Sequence, residues 1–269
     1  MLRRALLLLA VLVVVPPILV PAARAQTPPA VHLEALTWTE VRDRLQAGHT
    51  TILLPLGGTE QNGPAMALGK HNARARLLAE KIAQRLDSAI VAPVVAYVPE
   101  GNLDPPSGHM RFAGTITVPE ATFESLLEAA ARSFERHGFR DIVLLADSGG
   151  YQKQMNAVVR RLNREWAKGP TRVHAVHEYY RAATIEFGRM LAQRGFTQAE
   201  IGTHAGLADT SLMLALDPQW VRIDRLASAA APAQGVAGDP ARASAELGRL
   251  GIDAIVDRAV DAIRKATAR

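Results

Sequence analysis

The chain has 269 residues, 48 % of them hydrophobic, with a formal net charge of +5 and no cysteine. That length and apolar share can bury a substantial core as one domain, and the lack of cysteine excludes a disulfide framework. The charge is no argument for a nucleic-acid partner: residues 1–25 hold three arginines and no acid, so without them the net charge falls to +2.

Residues 1–25 read as a secretory signal peptide. Arg3-Arg4 is a basic start, 5–20 is almost wholly apolar, and Ala23-Arg24-Ala25 is a small-x-small cleavage site. The mature chain is expected to begin at Gln26 and to be periplasmic or secreted. The apolar run is short and broken by proline, so no stable membrane span is expected after cleavage. Residues 26–269 form one domain, with no linker, low-complexity tract or solenoid period. Apolar runs at 51–55, 89–98, 142–146 and 172–176 read as strands. Helical patterns fill 73–86, 119–137, 152–166, 180–194 and 239–267, the second opened by Pro119 and Glu120. Alternating strands and helices predict a mostly parallel sheet covered on both faces. Residues 107–117 read as a loop or edge excursion and 228–238 as a surface connection. His174 and His177 read as structural, and His32, His49 and His137 as surface groups.

The most informative stretch is LLPLGGTEQNGPAMALGKHN, residues 53–72. It breaks an apolar strand at Pro55 and Gly57-Gly58, then delivers Glu60, Gln61 and Asn62 together, with His71 eleven residues after the glutamate. Polar groups at the end of a parallel strand lie where open α/β sheets place their sites. Glu and His are ligand types suited to a catalytic divalent metal. Asp147 follows another apolar strand and emerges at the same edge of the sheet. There is no P-loop, no dinucleotide glycine fingerprint and no basic-aromatic stripe.

These residues, with four later blocks in order, resemble the creatininase (creatinine amidohydrolase) family. The block Glu60-Gln61-Asn62-Gly63-Pro64 resembles the family's Glu-x-His-Gly-Pro. GHMRFAGTIT (108–117) is similar to His-x-x-Phe-Pro-Gly-Thr, and IVLLADSGG (142–150) stands where the family has a strand ending in Asn-Gly-His-Gly-Gly. HAGLADTS (204–211) resembles His-Ala-Gly-x-x-Glu-Thr-Ser, and GVAGDP (235–240) the turn before the last helix. Departures fall at chemistry-bearing positions. Asn62 and Ser148 stand at histidine positions, His71 at an aspartate and Asp209 at a glutamate; Glu60 is unchanged.

The resemblance implies an α/β fold, a three-layer α/β/α sandwich with a mostly parallel central sheet. It implies a metal-dependent hydrolase of a C–N amide bond in a small molecule, cyclic or linear, and a homo-oligomer. By position, Glu60, His71 and Asp147 would hold one divalent ion rather than two, with zinc expected first and manganese or iron next. Asn62 and Ser148 are poor substitutes for two imidazole ligands. Asp209, His204 and Glu60 are the implied catalytic groups. Asn62, His109 and Ser148 are expected to line the substrate pocket. Two other readings stay open. One is a non-catalytic binding protein on the same fold with a degenerate metal site. The other is a serine hydrolase using Ser148, suggested by Asp147-Ser148-Gly149-Gly150, although no base is placed beside that serine by the sequence.

Overall fold

The computed structural model describes residues 31–268; the expected leader at 1–25 lies outside them. In chain order the main elements are α1 (Trp38–Gln46), β1 (Thr51–Leu56), α2 (Lys70–Leu86), β2 (Ala89–Val91), α3 (Glu120–His137), β3 (Asp141–Ala146), α4 (Gln152–Glu165) and β4 (Arg172–Ala175). Then come α5 (His177–Arg181), a π turn (Ala182–Glu186), α6 (Phe187–Ala192), α7 (Gln198–Ile201), α8 (Leu207–Leu216) and α9 (Ala245–Thr267). The four strands form one parallel sheet in the order β2-β1-β3-β4.

The sheet divides its side chains by the two-residue period of a strand. Leu53, Val91, Val143 and Leu145 point to one face and pack with Leu78 and Ile82 of α2, Phe187 of α6, Leu212 of α8 and Ile255 of α9. Ile52, Leu54, Leu56, Ile90, Ile142 and Leu144 point to the other and pack with Phe123 and Leu127 of α3 and Met155, Val158 and Leu162 of α4. The result is the α/β/α sandwich with a parallel sheet expected from the sequence.

Several boundaries differ from the sequence reading. The second strand stops at Val91, and only Val95 pairs again, as an isolated bridge to Leu56. Pro93 has no N–H to continue a ladder. The last helix starts at Ala245, where the Ser244 hydroxyl accepts from Leu247 N–H. Residues 228–238 are more than a surface connection: Ala229 and Val236 are buried in a small third core with Met66 and Met213. His32 is half-buried, with Nε2 3.1 Å from Glu80 Oε2.

Candidate active site

The carboxyl ends of β1 and β3 open into a cleft of about 270 Å³. It is lined by Glu60, Lys70, His71, Arg74, His109, Asp147, Ser148, Tyr180, His204 and Asp209, among others. Six segments supply these groups: the loop after β1, the first turns of α2, the end of β3, the turn Gly108–Arg111, α5, and the loop and first turn of α8. A second cavity of about 410 Å³ shares Tyr180, Thr184, Thr203, His204 and Asp209 with the first.

Local backbone chemistry sets these positions. Gly58 N–H donates to Asn72 Oδ1 at 2.9 Å, tying the loop after β1 to α2. Asn62 Nδ2 donates to the carbonyls of Glu60 (2.9 Å) and Ala67 (3.1 Å) and so folds the loop on itself; its Oδ1 is buried with no hydrogen-bond partner among the described residues. His204 is held by backbone pairing with Ala237 and is followed by Ala205 at φ 54°, a left-handed conformation that costs energy for a residue with a Cβ. Ala205 N–H donates to Asp209 Oδ2 at 2.9 Å, which offsets part of that cost.

Of the residues singled out in the sequence, Glu60, His71 and Asp147 are brought into direct contact. His71 lies between the two carboxylates, with Nε2 2.7 Å from Glu60 Oε1 and Nδ1 2.6 Å from Asp147 Oδ2. Both ring nitrogens are therefore engaged. The group whose possible ligand atoms converge on one point is different: Glu60, His109 and His204 present atoms that all lie within 4.8 Å of one another, although Glu60 Oε1 also meets His71 Nε2. His109 Nε2 is 3.2 Å from Glu60 Oε2, and His204 Nδ1 is 3.6 Å from Glu60 Oε1. This set shares only Glu60 with the ligands inferred from position.

Gln61, which the sequence reading did not assign, orients both imidazoles. Its backbone carbonyl lies 2.9 Å from His204 Nε2 and its side-chain Nε2 3.1 Å from the same atom; in the Nε2-protonated ring, which donates to the carbonyl, Nδ1 is left to face Glu60. Its Nε2 lies 3.0 Å from His109 Nδ1 and donates to Gly235 carbonyl at 2.9 Å, while its Oε1 accepts from Gly63 N–H at 2.9 Å. Gly235, at φ 81°, packs against this amide, where any Cβ would collide with it.

Two cations complete the cluster. Lys70 is wholly buried, its Nζ 3.1 Å from Asp209 Oδ2 and 3.8 Å from Glu60 Oε1. Arg74 donates from Nε to Asp147 Oδ2 (2.8 Å) and Oδ1 (3.0 Å), and from Nη1 to Asp209 Oδ1 (2.6 Å). Tyr179 hydroxyl donates to Asp147 Oδ1 at 2.7 Å. Lys70, His71 and Arg74 share one face of α2 by their spacing of three and four. Cations in the first turn of a helix oppose its dipole and need acidic partners. That pattern was a readable signal within a segment whose helix the sequence reading began at 73.

The electrostatics suit a metal. Burial opposes ionisation of Glu60, but His71, Lys70 and His204 outweigh it and hold the carboxyl well below its usual range. Burial, reinforced by Lys70, pushes His204 down to about 4, and burial lowers His109, so both imidazoles are neutral near pH 7. An ionised carboxylate with two neutral imidazoles is a donor set that fits zinc, manganese or iron. Glu100, also unassigned from sequence, is buried beside Glu60; burial first and the Glu60 charge second push it up to about 9. Desolvation works against Asp147 and Asp209, yet the neighbouring cations keep both below the ordinary carboxylate range, Arg74 foremost for Asp147 and Lys70 foremost for Asp209.

Ser148 Oγ accepts from Gly150 N–H at 3.3 Å, and no histidine nitrogen is hydrogen-bonded to it among the described residues.

The family model for Creatininase, described as creatinine amidohydrolase, matches residues 34–263. The chain belongs to the creatininase family. Creatinine amidohydrolase from Pseudomonas putida is 27 % identical over 261 residues, covering 88 % of this chain and 97 % of the relative. A mycofactocin precursor peptide peptidase from Mycobacterium ulcerans is 27 % identical over 255 residues, covering 85 % and 90 %. Among solved structures, a manganese creatininase superposes with a TM-score of 0.75 at 26 % identity, and a zinc–zinc form of a creatininase variant with 0.75 at 27 %. They cover 89 % and 90 % of this chain and 100 % of each neighbour. In this creatininase-family chain the Glu60, His109 and His204 group supports a divalent metal at the site where the sandwich opens.

Proposed function

We propose that this chain is a metal-dependent amidohydrolase that cleaves a C–N amide bond of a small molecule in the cleft at the end of β1 and β3. The observation that carries this reading is the convergence of an ionised Glu60 with the neutral His109 and His204 at the floor of a cleft of about 270 Å³. When bound there, a divalent ion supplies Lewis acidity toward the substrate carbonyl and toward water. Glu60, His109 and His204 would hold it, and Gln61 fixes the two rings. Asp209, with its oxygens taken by Lys70, Arg74 and Ala205 N–H, keeps its charge in place and orders the loop that carries His204. The cleft size favours a compact substrate, while the cavity that shares His204 and Tyr180 leaves room for a larger substituent. The peptide peptidase among the relatives makes a peptide-like substituent a sensible arm of a substrate panel.

Zinc is the first choice of metal and manganese the second; both metals are named for neighbouring structures. Export is part of the proposal, on the strength of the basic start, the apolar run and Ala23-Arg24-Ala25. So is a homo-oligomer, carried over from the resemblance to the creatininase family.

The test is a panel of cyclic and linear amides incubated with zinc-loaded and chelator-treated protein. Zinc-dependent release of amine or carboxylate, lost in Glu60→Gln and kept in Ser148→Ala, supports the reading. Turnover that survives chelation but not Ser148→Ala would establish a serine hydrolase instead. Binding of such compounds with no turnover under any metal would leave a non-catalytic binding protein.

A further inference from the structure

The site contains more anionic groups than the one ligand cluster uses. Asp147 and Asp209 lie in the same cleft as Glu60, and with His71 they are the obvious donors for a second ion. Each of their four carboxylate oxygens is already in use. Asp147 Oδ1 accepts from Tyr179 hydroxyl at 2.7 Å and from Arg74 Nε at 3.0 Å. Asp147 Oδ2 faces Arg74 Nε at 2.8 Å and His71 Nδ1 at 2.6 Å. Asp209 Oδ1 accepts from Arg74 Nη1 at 2.6 Å, and Oδ2 accepts from Lys70 Nζ at 3.1 Å and Ala205 N–H at 2.9 Å. His71 has no ring nitrogen left over. Lys70 and Arg74 are themselves buried, so water does little to screen them. A second divalent ion would have to displace at least one of these side chains, then sit beside the positive charge that remained.

We infer that Lys70 and Arg74 are built-in cations that occupy Asp147 and Asp209, so that the site takes a single divalent ion on Glu60, His109 and His204. The inference rests on the metal-dependent reading above. It differs from the zinc–zinc centre named for a structural neighbour, and the difference lies in this chain's own residues. Lys70 Nζ stands 3.8 Å from Glu60 Oε1, so its charge also opposes the ion that does bind. One of its three N–H groups is used by Asp209.

The experiment is zinc titration of the chelator-stripped full-length or naturally processed protein, with bound metal measured after dialysis. One zinc per chain, lost in His204→Ala, is expected. Two zinc ions per chain would overturn the inference and leave the metal-dependent reading intact. No zinc at all would overturn the reading on which it rests, and the two failures are thereby told apart. A second arm uses Lys70→Met, which removes the opposing charge and should bind the single zinc at least tenfold more tightly. Lys70→Arg, which keeps the charge, should bind it about as the unaltered chain does. Weaker zinc binding in a folded Lys70→Met would overturn the role given to Lys70. If Lys70→Met does not fold, the stoichiometry of the unaltered chain still decides.

Discussion

Lys70 Nζ lies 3.1 Å from Asp209 Oδ2, in an interior that leaves the lysine no exposed surface. A buried ammonium persists only when paired, because its desolvation cost is several kcal/mol. The pair spans the start of α2 and the first turn of α8, so one ionic contact fixes the distance between two walls of the cleft. Arg74, one turn further along α2, does the same between α8 and the end of β3. The site is thus built around fixed charges as well as around the Glu60, His109 and His204 group.

Arg74 carries the largest share of that framework. Arg74→Met leaves Asp147 with His71 and Tyr179 and strips Asp209 of one of its two cations. Removing one partner of a buried ion pair typically costs about 3–5 kcal/mol. Urea denaturation of the variant should show a loss of that order, and an unchanged midpoint would contradict the role.

Tyr179→Phe deletes one buried hydrogen bond to a charged acceptor and nothing else. The expected loss is about 1.5–3 kcal/mol. Zinc binding should be unaltered, since Asp147 keeps its contacts with Arg74 and His71. A denaturation curve and a zinc titration on the same preparation check both halves.

Gln61 tests whether the two imidazoles need orienting. Gln61→Ala removes the side-chain amide beside His109 and the contacts with Gly63 and Gly235. Partners that orient metal-binding histidines are typically worth about 10–100-fold in metal affinity. Zinc affinity should fall by that factor with the fold retained, as seen by circular dichroism.

The folding reads differently for the site than for the sheet. The strands were legible because 52–56 and 142–146 are short continuous apolar runs, as in strands of a parallel sheet covered on both faces. Helix α1 was overlooked although Thr37 and Glu40 form a capping box, a sequence signal as plain as Pro119. Helix α8 was overlooked for a physical reason: LADTSLMLAL is apolar on several sides, being wedged against α9 and the third core, so it shows little periodicity. Glu60, His71, Asp147, His204 and Asp209 were legible as polar groups at strand and loop ends, and they line one cleft. Their pairing was not. It depends on α2 beginning at Lys70, which brings Lys70, His71 and Arg74 to the same face. It depends also on Gln61, whose backbone carbonyl does as much as its side chain.

Glu100 gives the stability of the metal-free protein a pH dependence. Its folded value is raised to about 9 from an ordinary 4.5. A group with a raised folded value contributes fully below its unfolded value and loses that contribution as pH rises through the folded one. The affected window therefore runs from 4.5 to about 9, with stability falling as pH rises. Asp147 and Asp209 act in the opposite sense: their depressed values contribute above the ordinary carboxylate range and are lost as pH falls below it. Glu100→Gln should flatten the decline between pH 5 and 9, as measured by denaturant midpoints across that range; an unchanged slope would contradict the assignment.

In the proposed site Glu60, His109 and His204 hold one divalent ion. Anomalous diffraction at the zinc absorption edge, on crystals of the zinc-loaded protein, tests it most directly. A single strong peak per chain is expected within coordination reach of Glu60, His109 Nε2 and His204 Nδ1, with Lys70 and Arg74 still on Asp209 and Asp147. A peak held by His71 and Asp147, a pair of peaks, or no peak in the cleft would contradict it.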